Sequence, residues 1–274
     1  MNTIEKIEIW LKEMNIKDYI IDDNNLTVDV FGHVDISHKK LKEIPVQFNV
    51  IDGNFYCNNN ELKTLSGSPK IVNYNFDCSS NQLKSLKYAP EFIGGDFLCS
   101  NNGIKNFKEL NMNDEVYGNF EASNNLIKNI HNIPKKINKT CNLSNNLIKK
   151  IQFNNQEIEN LDLSENFLTD LDIRLLNINS LNVSINQIKE IKSIPNKINY
   201  LDVSHNNLFD LNCLEKIEHV TVKELNLSFN NYNENIQKIK TTEELKQFLK
   251  SKHLYDELIQ KLKSNNKNKK IDKI

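Results

Sequence analysis

The chain is poor in the residues that usually punctuate a fold: its 274 residues include 7 Gly, 5 Pro and 1 Trp. Arginine occurs once, at Arg174, among 35 basic residues. So little glycine and proline excludes a collagen-like or a Pro/Gly-rich low-complexity chain. No run of about 20 apolar residues is present, which excludes a membrane-spanning helix. The opening MNTIEKIEIWLKEMN carries a charge every few residues, so it is not the apolar core of a signal peptide. The expected compartment is cytoplasmic. Cys57, Cys78, Cys99, Cys141 and Cys213 are odd in number and form no C-x-x-C pair, which fits neither a secreted disulfide scaffold nor a zinc motif. Excess charge is also missing. The 35 basic and 36 acidic side chains leave a net charge of −1, which argues against a dedicated nucleic-acid or membrane-surface binder.

Asparagine is abundant instead, with 47 copies. Its short amide competes with the backbone for hydrogen bonds, so it serves helices and ordinary strands badly. An excess therefore implies either disorder or a repeated structural task. Disorder is excluded by regularly spaced apolar groups along most of the chain. Aligning the chain with itself shows the task. FYCNNNEL from Phe55, FDCSSNQL from Phe76, FLCSNNGI from Phe97 and FEASNNLI from Phe120 line up, and so do CNLSNNLI, LDLSENFL, LNVSINQI, LDVSHNNL and LNLSFNNY further on. VDISHKKL from Val34 is a degenerate first copy. The aligned asparagines are Asn60, Asn81, Asn102, Asn125, Asn146, Asn166, Asn186, Asn206 and Asn230, with Lys39 in the first copy. Successive intervals from Lys39 are 21, 21, 21, 23, 21, 20, 20, 20 and 24 residues.

The pattern L-x-L-x-x-N-x-L, with a further aliphatic three residues on, resembles the leucine-rich repeat. Its short period resembles the class found in bacterial effectors and in proteins of bacteriophages and large DNA viruses. The resemblance implies an α/β solenoid: an arc of about ten short parallel strands on a concave face, with helical caps at both ends. It also implies that the fixed Asn bonds within its own turn and to the neighbouring coil. Physically, no single repeat can bury its own aliphatic groups, so the copies must stack. An Asn amide offers donors and an acceptor to a tight buried turn.

The domain organisation follows. Residues 1–25 are expected to form an N-terminal helical cap, with Ile4, Ile7, Trp10, Leu11 and Met14 on one helix face. The solenoid is expected over 26–236 and a C-terminal helical cap over 237–264. In that cap Thr241 and Glu244 form a capping-box pattern ahead of Leu245, and a second short helix holds Leu254, Leu258, Ile259 and Leu262. The lysine-rich 265–274 is expected to be a disordered tail.

The sequence holds no P-loop, no dinucleotide fingerprint and no H-E-x-x-H, and its six histidines show no ligand spacing. The cysteines at one repeat position are expected to be buried small hydrophobes. Eight serines at another position suggest a structural preference, since a serine nucleophile needs one specific base and oxyanion site. No enzyme activity, cofactor, metal or small-molecule substrate is therefore expected.

The surface positions say more. The outward strand and turn positions of the ten copies, forty in all, include Asp77, Glu121, Asp162, Glu165 and Asp202 but no Lys or Arg, where about five would be expected by chance. Lysines gather just beyond, at Lys42, Lys63, Lys84, Lys105, Lys128, Lys149 and Lys189. Before the fixed Asn, repeats two to six carry Asn or Ser, while the last four carry Glu165, Ile185, His205 and Phe229. Tyr200 lies on the same sheet, and Tyr56 is a weaker candidate at the other end. These residues are expected either to bind a partner or, for Ile185 and Phe229, to pack beneath the C-terminal cap. The expected function is a non-enzymatic, monomeric or weakly oligomeric scaffold whose acidic concave face binds a protein with a basic or mixed surface. The short-repeat resemblance implies a viral or bacterial protein that modulates or inhibits a host protein. The alternative is a structural or receptor-recognition component of a virion or cell surface.

Overall fold

The computed structural model describes residues 2–151, 156–173, 178–195, 197–218 and 220–271. Its main feature is a sheet in which ten strands follow one another in chain order, from Val34–Asp35 to Thr221–Asn226, with every neighbouring pair parallel. Equivalent residues pair across it: Phe55 with Phe76, Phe97 with Phe120, Leu161 with Leu181, and Leu201 with Leu225. This is the leucine-rich repeat solenoid in the register of the aligned asparagines.

The inward side chains share volume in a regular way. In coils two to five a Phe (Phe55, Phe76, Phe97, Phe120) is followed two residues later by a small Cys or Ala (Cys57, Cys78, Cys99, Ala122), all buried. The coils from Leu161 onward carry two medium aliphatics at those positions, such as Leu161 with Leu163 and Leu181 with Val183. Large plus small thus gives way to medium plus medium, and the core stays filled. The phenylalanines form a continuous spine with centroid separations of 5.7, 5.7 and 5.4 Å. Phe48 and Trp10 extend this spine into the N-terminal cap.

The repeat shortens from 21 to 20 residues at a definable place. Upstream of each main strand lies a second buried aliphatic, as in Ile51, Val72, Ile93 and Val116. Up to Cys141 it precedes the first inward residue by four positions (Ile93 to Phe97), and from Leu161 on by three (Ile198 to Leu201). Up to Phe120 the longer corner separates two extended segments, while in the coil of Cys141 the single strand Lys136–Asn142 runs through it with a register shift. In the first coils the upstream segments form their own sheet, made of Tyr19–Asp22, Thr27–Val30, Gln47–Ile51, Ile71–Val72 and Phe92–Ile93. The coils are crowded here: a β-carbon at Gly53 would overlap the carbonyl of Gly32. Where the corner is shorter, the segments merge into single strands such as Glu157–Asp162 and Lys197–Asp202.

Both ends are closed. Helix α1 (Thr3–Glu13) starts at a capping box between Asn2 and Glu5 and buries Ile7 and Leu11. The antiparallel hairpin Tyr19–Asp22/Thr27–Val30 adds to this cap, which was expected as a helix alone. Helix α2 (Leu211–Glu218) occupies the long interval before Asn230, and α3 (Glu234–Gln237) follows the last coil. The last strand finds substitutes for a missing next coil: Leu225 N–H donates to Lys240 O at 2.7 Å and Val222 N–H to Thr242 Oγ1 at 3.2 Å. Thr241 Oγ1 accepts from Glu244 N–H, as the capping pattern requires. Instead of two short helices, one helix α4 runs over Thr242–Ile271, since nothing after Thr241 is Gly or Pro. It continues into the segment expected to be a disordered tail, of which 272–274 lie outside the described residues. Leu245 and Leu249 are buried under it, whereas Leu254 and Leu258, expected to pack in the cap, are exposed.

Candidate functional site

Each fixed Asn closes its turn and ties it to the coil before. Asn166 Nδ2 donates to Leu163 O at 3.1 Å and Ser164 O at 3.0 Å in its own turn, and to Leu143 O at 3.0 Å in the preceding coil. Its Oδ1 accepts from Ile148 N–H of that coil at 3.0 Å. The amides of Asn60, Asn81, Asn102, Asn125, Asn146, Asn186, Asn206 and Asn230 repeat the arrangement. The asparagine excess therefore supplies bonds to buried backbone groups that would otherwise cost about 1–3 kcal/mol each.

The turn imposes a second constraint. The residue before each fixed Asn has φ between 51° and 57°, the left-handed region, in every repeat. Asn59, Ser80, Asn101, Asn124 and Asn145 hold this conformation in repeats two to six. Asn is among the few residues that enter it readily. Glu165, Ile185, His205 and Phe229 hold it in the last four repeats, at 54°, 54°, 51° and 54°. A β-branched or bulky side chain is strained there by roughly 1–2 kcal/mol. The strain does not serve burial: Ile185 is 50% exposed and Phe229 65% exposed, so neither packs beneath the cap. The His205 and Phe229 rings stack at 4.1 Å with 26° between their planes. Phe229 N–H donates to Gln237 Oε1, while Gln237 Nε2 donates to Asn230 O and Tyr232 O, so α3 holds the last turn in place of an eleventh coil.

Beside this column run the mid-strand outward residues, paired in the order Asp35, Tyr56, Asp77, Leu98, Glu121, Asn142, Asp162, Asn182, Asp202 and Asn226. The serine column belongs to them. Ser79 Oγ donates to Asp77 Oδ1 at 2.6 Å, Ser164 Oγ to Asp162 Oδ1 at 2.6 Å and Ser184 Oγ to Asn182 Oδ1 at 2.7 Å. These hydroxyls lock the strand end. Among the described residues no ion pair involves Asp77, Glu121, Asp162 or Asp202. Burial, and then the charges of Asp162 and Asp96, raise the Glu121 carboxyl above its ordinary range against a hydrogen bond with Asn142. Burial, together with the nearby Asp202, pushes the Tyr200 hydroxyl up to about 12.

Two of the expected contact residues differ in kind from the rest. Asp202 is buried, 9% exposed, and accepts from Tyr200 Oη at 3.1 Å, Asn226 Nδ2 at 2.9 Å and Ser204 N–H at 2.8 Å. It contributes charge rather than an exposed contact, because Tyr200 beside it and Asn226 on the next strand surround it. Tyr56 lies on the same column five strands from Asp162 and apart from the strained turns. The positive φ itself was missed from the sequence. Its signal was the Asn/Ser preference of five repeats followed by four departures.

The inward cysteines Cys57, Cys78, Cys99 and Cys141 are buried and free, and burial raises their thiols far above the usual range. Thiols held that way are poor nucleophiles. No group of three or more His, Cys, Asp or Glu suited to a metal ion occurs among the described residues. Nor is any described helix long and apolar enough to cross a membrane.

No family model matches the chain, and no curated protein matches it. Among solved structures it is similar to YopM from Yersinia enterocolitica WA-314, with a TM-score of 0.53 at 20% sequence identity. The match covers 72% of this chain and 47% of that one, so this chain spans less than half of the YopM chain. The likeness is one of fold, and it joins the repeat register in making this chain a leucine-rich repeat solenoid.

Proposed function

We propose that the chain is a non-enzymatic protein-binding scaffold that uses its ten-strand sheet to hold a partner with a basic or mixed surface. The observation that carries this is the left-handed column: Glu165, Ile185, His205 and Phe229 keep large side chains where the repeat itself favours Asn, with strain at Ile185 and Phe229, and they expose them. Backbone strain that brings no burial is the mark of a surface kept for contact. The aromatic pair His205–Phe229 with Ile185 supplies an apolar anchor of the kind that dominates interface energies. Asp77, Glu121 and Asp162, unneutralised by any lysine of their own face, select the charge of the partner and speed its approach. The same charges disfavour a nucleic-acid backbone. Ten strands spaced about 4.8 Å apart span about 43 Å, enough for a standard interface of about 800 Å² per partner.

The short-repeat resemblance and the likeness in fold to a Yersinia protein support a bacterial or viral protein that acts in the cytoplasm by modulating a host protein. The test is affinity capture from host-cell lysate with the full chain and two variants, Asp162→Asn/Glu165→Lys, in which Asn keeps the serine bond as Asn182 does, and Phe229→Ala. These are exposed or half-exposed positions, unlike Asp202. Both variants are expected to lose the captured protein while melting within about 2 °C of the parent, as surface substitutions do. Undiminished capture by both would remove the sheet from the binding surface.

A further inference from the structure

Two apolar surfaces away from the ten-strand sheet have no partner among the described residues. The first is the outer side of the five-strand sheet. Strand register sets Ile20 beside Asp29, Asp29 beside Val50 at a bulge, Val50 beside Ile71 and Ile71 beside Phe92. The Tyr117 ring closes the row, 5.9 Å from that of Phe92. Ile20, Ile71 and Tyr117 are all exposed. The repeat does not require apolar residues here, because the same position in later coils holds Glu115, Lys136 and Glu157, with Lys136 bonded to Glu115 at 2.8 Å. The border is net negative, with Asp22, Asp52 and Glu91 against Lys70.

The second surface is on α4. Beyond buried Leu249 the helix leaves the solenoid, and Leu254 and Tyr255 are 60% and 62% exposed, with Leu258 close behind. Spacings of three and four residues put these on one helix face. In sequence this half of α4, 250–271, is net positive, with seven Lys against Asp256 and Glu257. His253 reaches Glu215 of α2 at 3.6 Å, but among the described side chains the two leucines of this segment stay exposed and gain little from tertiary packing.

We propose that the chain self-associates head to tail, the projecting half of α4 from one copy lying across the outer side of the five-strand sheet of the next. The two surfaces are both apolar and carry opposite charge. The row from Ile20 to Tyr117 crosses five strand spacings, about 24 Å, and the helix backbone from Leu254 to Ile271, about 26 Å long, is long enough to lie along it. Because the faces differ, the contact is heterologous and does not close on itself as a two-fold dimer does.

Light scattering on the full chain across a wide concentration range tests this, with Leu254→Asp/Leu258→Asp blocking the helix and Ile71→Asp/Tyr117→Asp blocking the sheet. The wild type is expected to rise above the monomer mass of 31.9 kDa as concentration increases, and less so in high salt. Each variant alone is expected to stay monomeric. Their equimolar mixture is expected to form a one-to-one dimer, since each keeps the face the other has lost. A wild-type chain that stays monomeric throughout overturns the proposal without any variant. So does association by either variant alone, or a mixture that remains monomeric while each component melts like the wild type. Serine versions of both pairs replace any aspartate version whose melting point falls.

Discussion

Exchanging residues in the left-handed column separates strain from packing. Ile185→Asn removes a β-branched side chain from φ 54° and installs the residue that repeats two, four, five and six use. Relief of the left-handed penalty is worth about 1–2 kcal/mol. Ile185 is 50% exposed, so losing its remaining contacts costs about 1 kcal/mol, half the value of a fully buried aliphatic. The net change lies between about zero and 1 kcal/mol of added stability. For a chain of this size 1 kcal/mol moves the midpoint by about 2–4 °C, so thermal melting followed by circular dichroism should show a midpoint unchanged or raised by up to about that much. Asn145→Ile is the reverse exchange, at an exposed position with φ 51°. It adds the strain with little compensating burial, and the midpoint should fall by about 2–8 °C for a cost of 1–2 kcal/mol. If Ile185 were instead a packing residue, Ile185→Asn would lower the midpoint by about 2–4 °C with nothing to offset it. That outcome, or an Asn145→Ile protein that melts like the parent, refutes the assignment of strain.

Two further predictions concern the ladder and the acidic row. Asn166→Ala withdraws a side chain that donates to three carbonyls and accepts from Ile148 N–H. A loss of about 1–3 kcal/mol should appear as a lower urea midpoint. Glu121 has its carboxyl raised in the folded chain, so between its ordinary and raised values the folded state binds more protons than the unfolded one, and stability falls as pH rises through that window. Glu121→Gln should therefore melt higher than the parent above the window and converge with it below; a constant difference across pH 4–8 would remove Glu121 from the linkage.

The sequence made the solenoid legible because its signals are local and repeated. Nine asparagines in register, each followed at fixed distance by an aliphatic, define strand, turn and stacking direction at once. The cap helix α1 was legible from the spacing of Ile7, Trp10 and Leu11. What escaped depended on relations between coils. The five-strand sheet is built in part from two-residue strands such as Ile71–Val72 and Phe92–Ile93, too short for an alternating pattern to register. Helix α2 left one trace, the 24-residue interval between Asn206 and Asn230. In the candidate site, the departures at Glu165, Ile185, His205 and Phe229 were visible as residue types, but their strain follows from a backbone angle that only the stacked turn fixes. The burial of Asp202 depends on Asn226, a full coil away.

The change of corner, from four residues to three, bears on how such a chain could lengthen. Coils with Phe over Cys and a wide corner fit others of their kind, and coils with paired aliphatics and a narrow corner fit theirs. A duplicated unit copied from residues 61–102 would seat ring on ring if inserted next to its parent. Placed after Leu181 it would set a phenylalanine against leucines and a wide corner against a narrow one. Whole units therefore fit most easily within their own half, and the stretch between Phe120 and Leu161, where Cys141 stands alone between the two styles, is the seam at which the two ways of filling a coil meet.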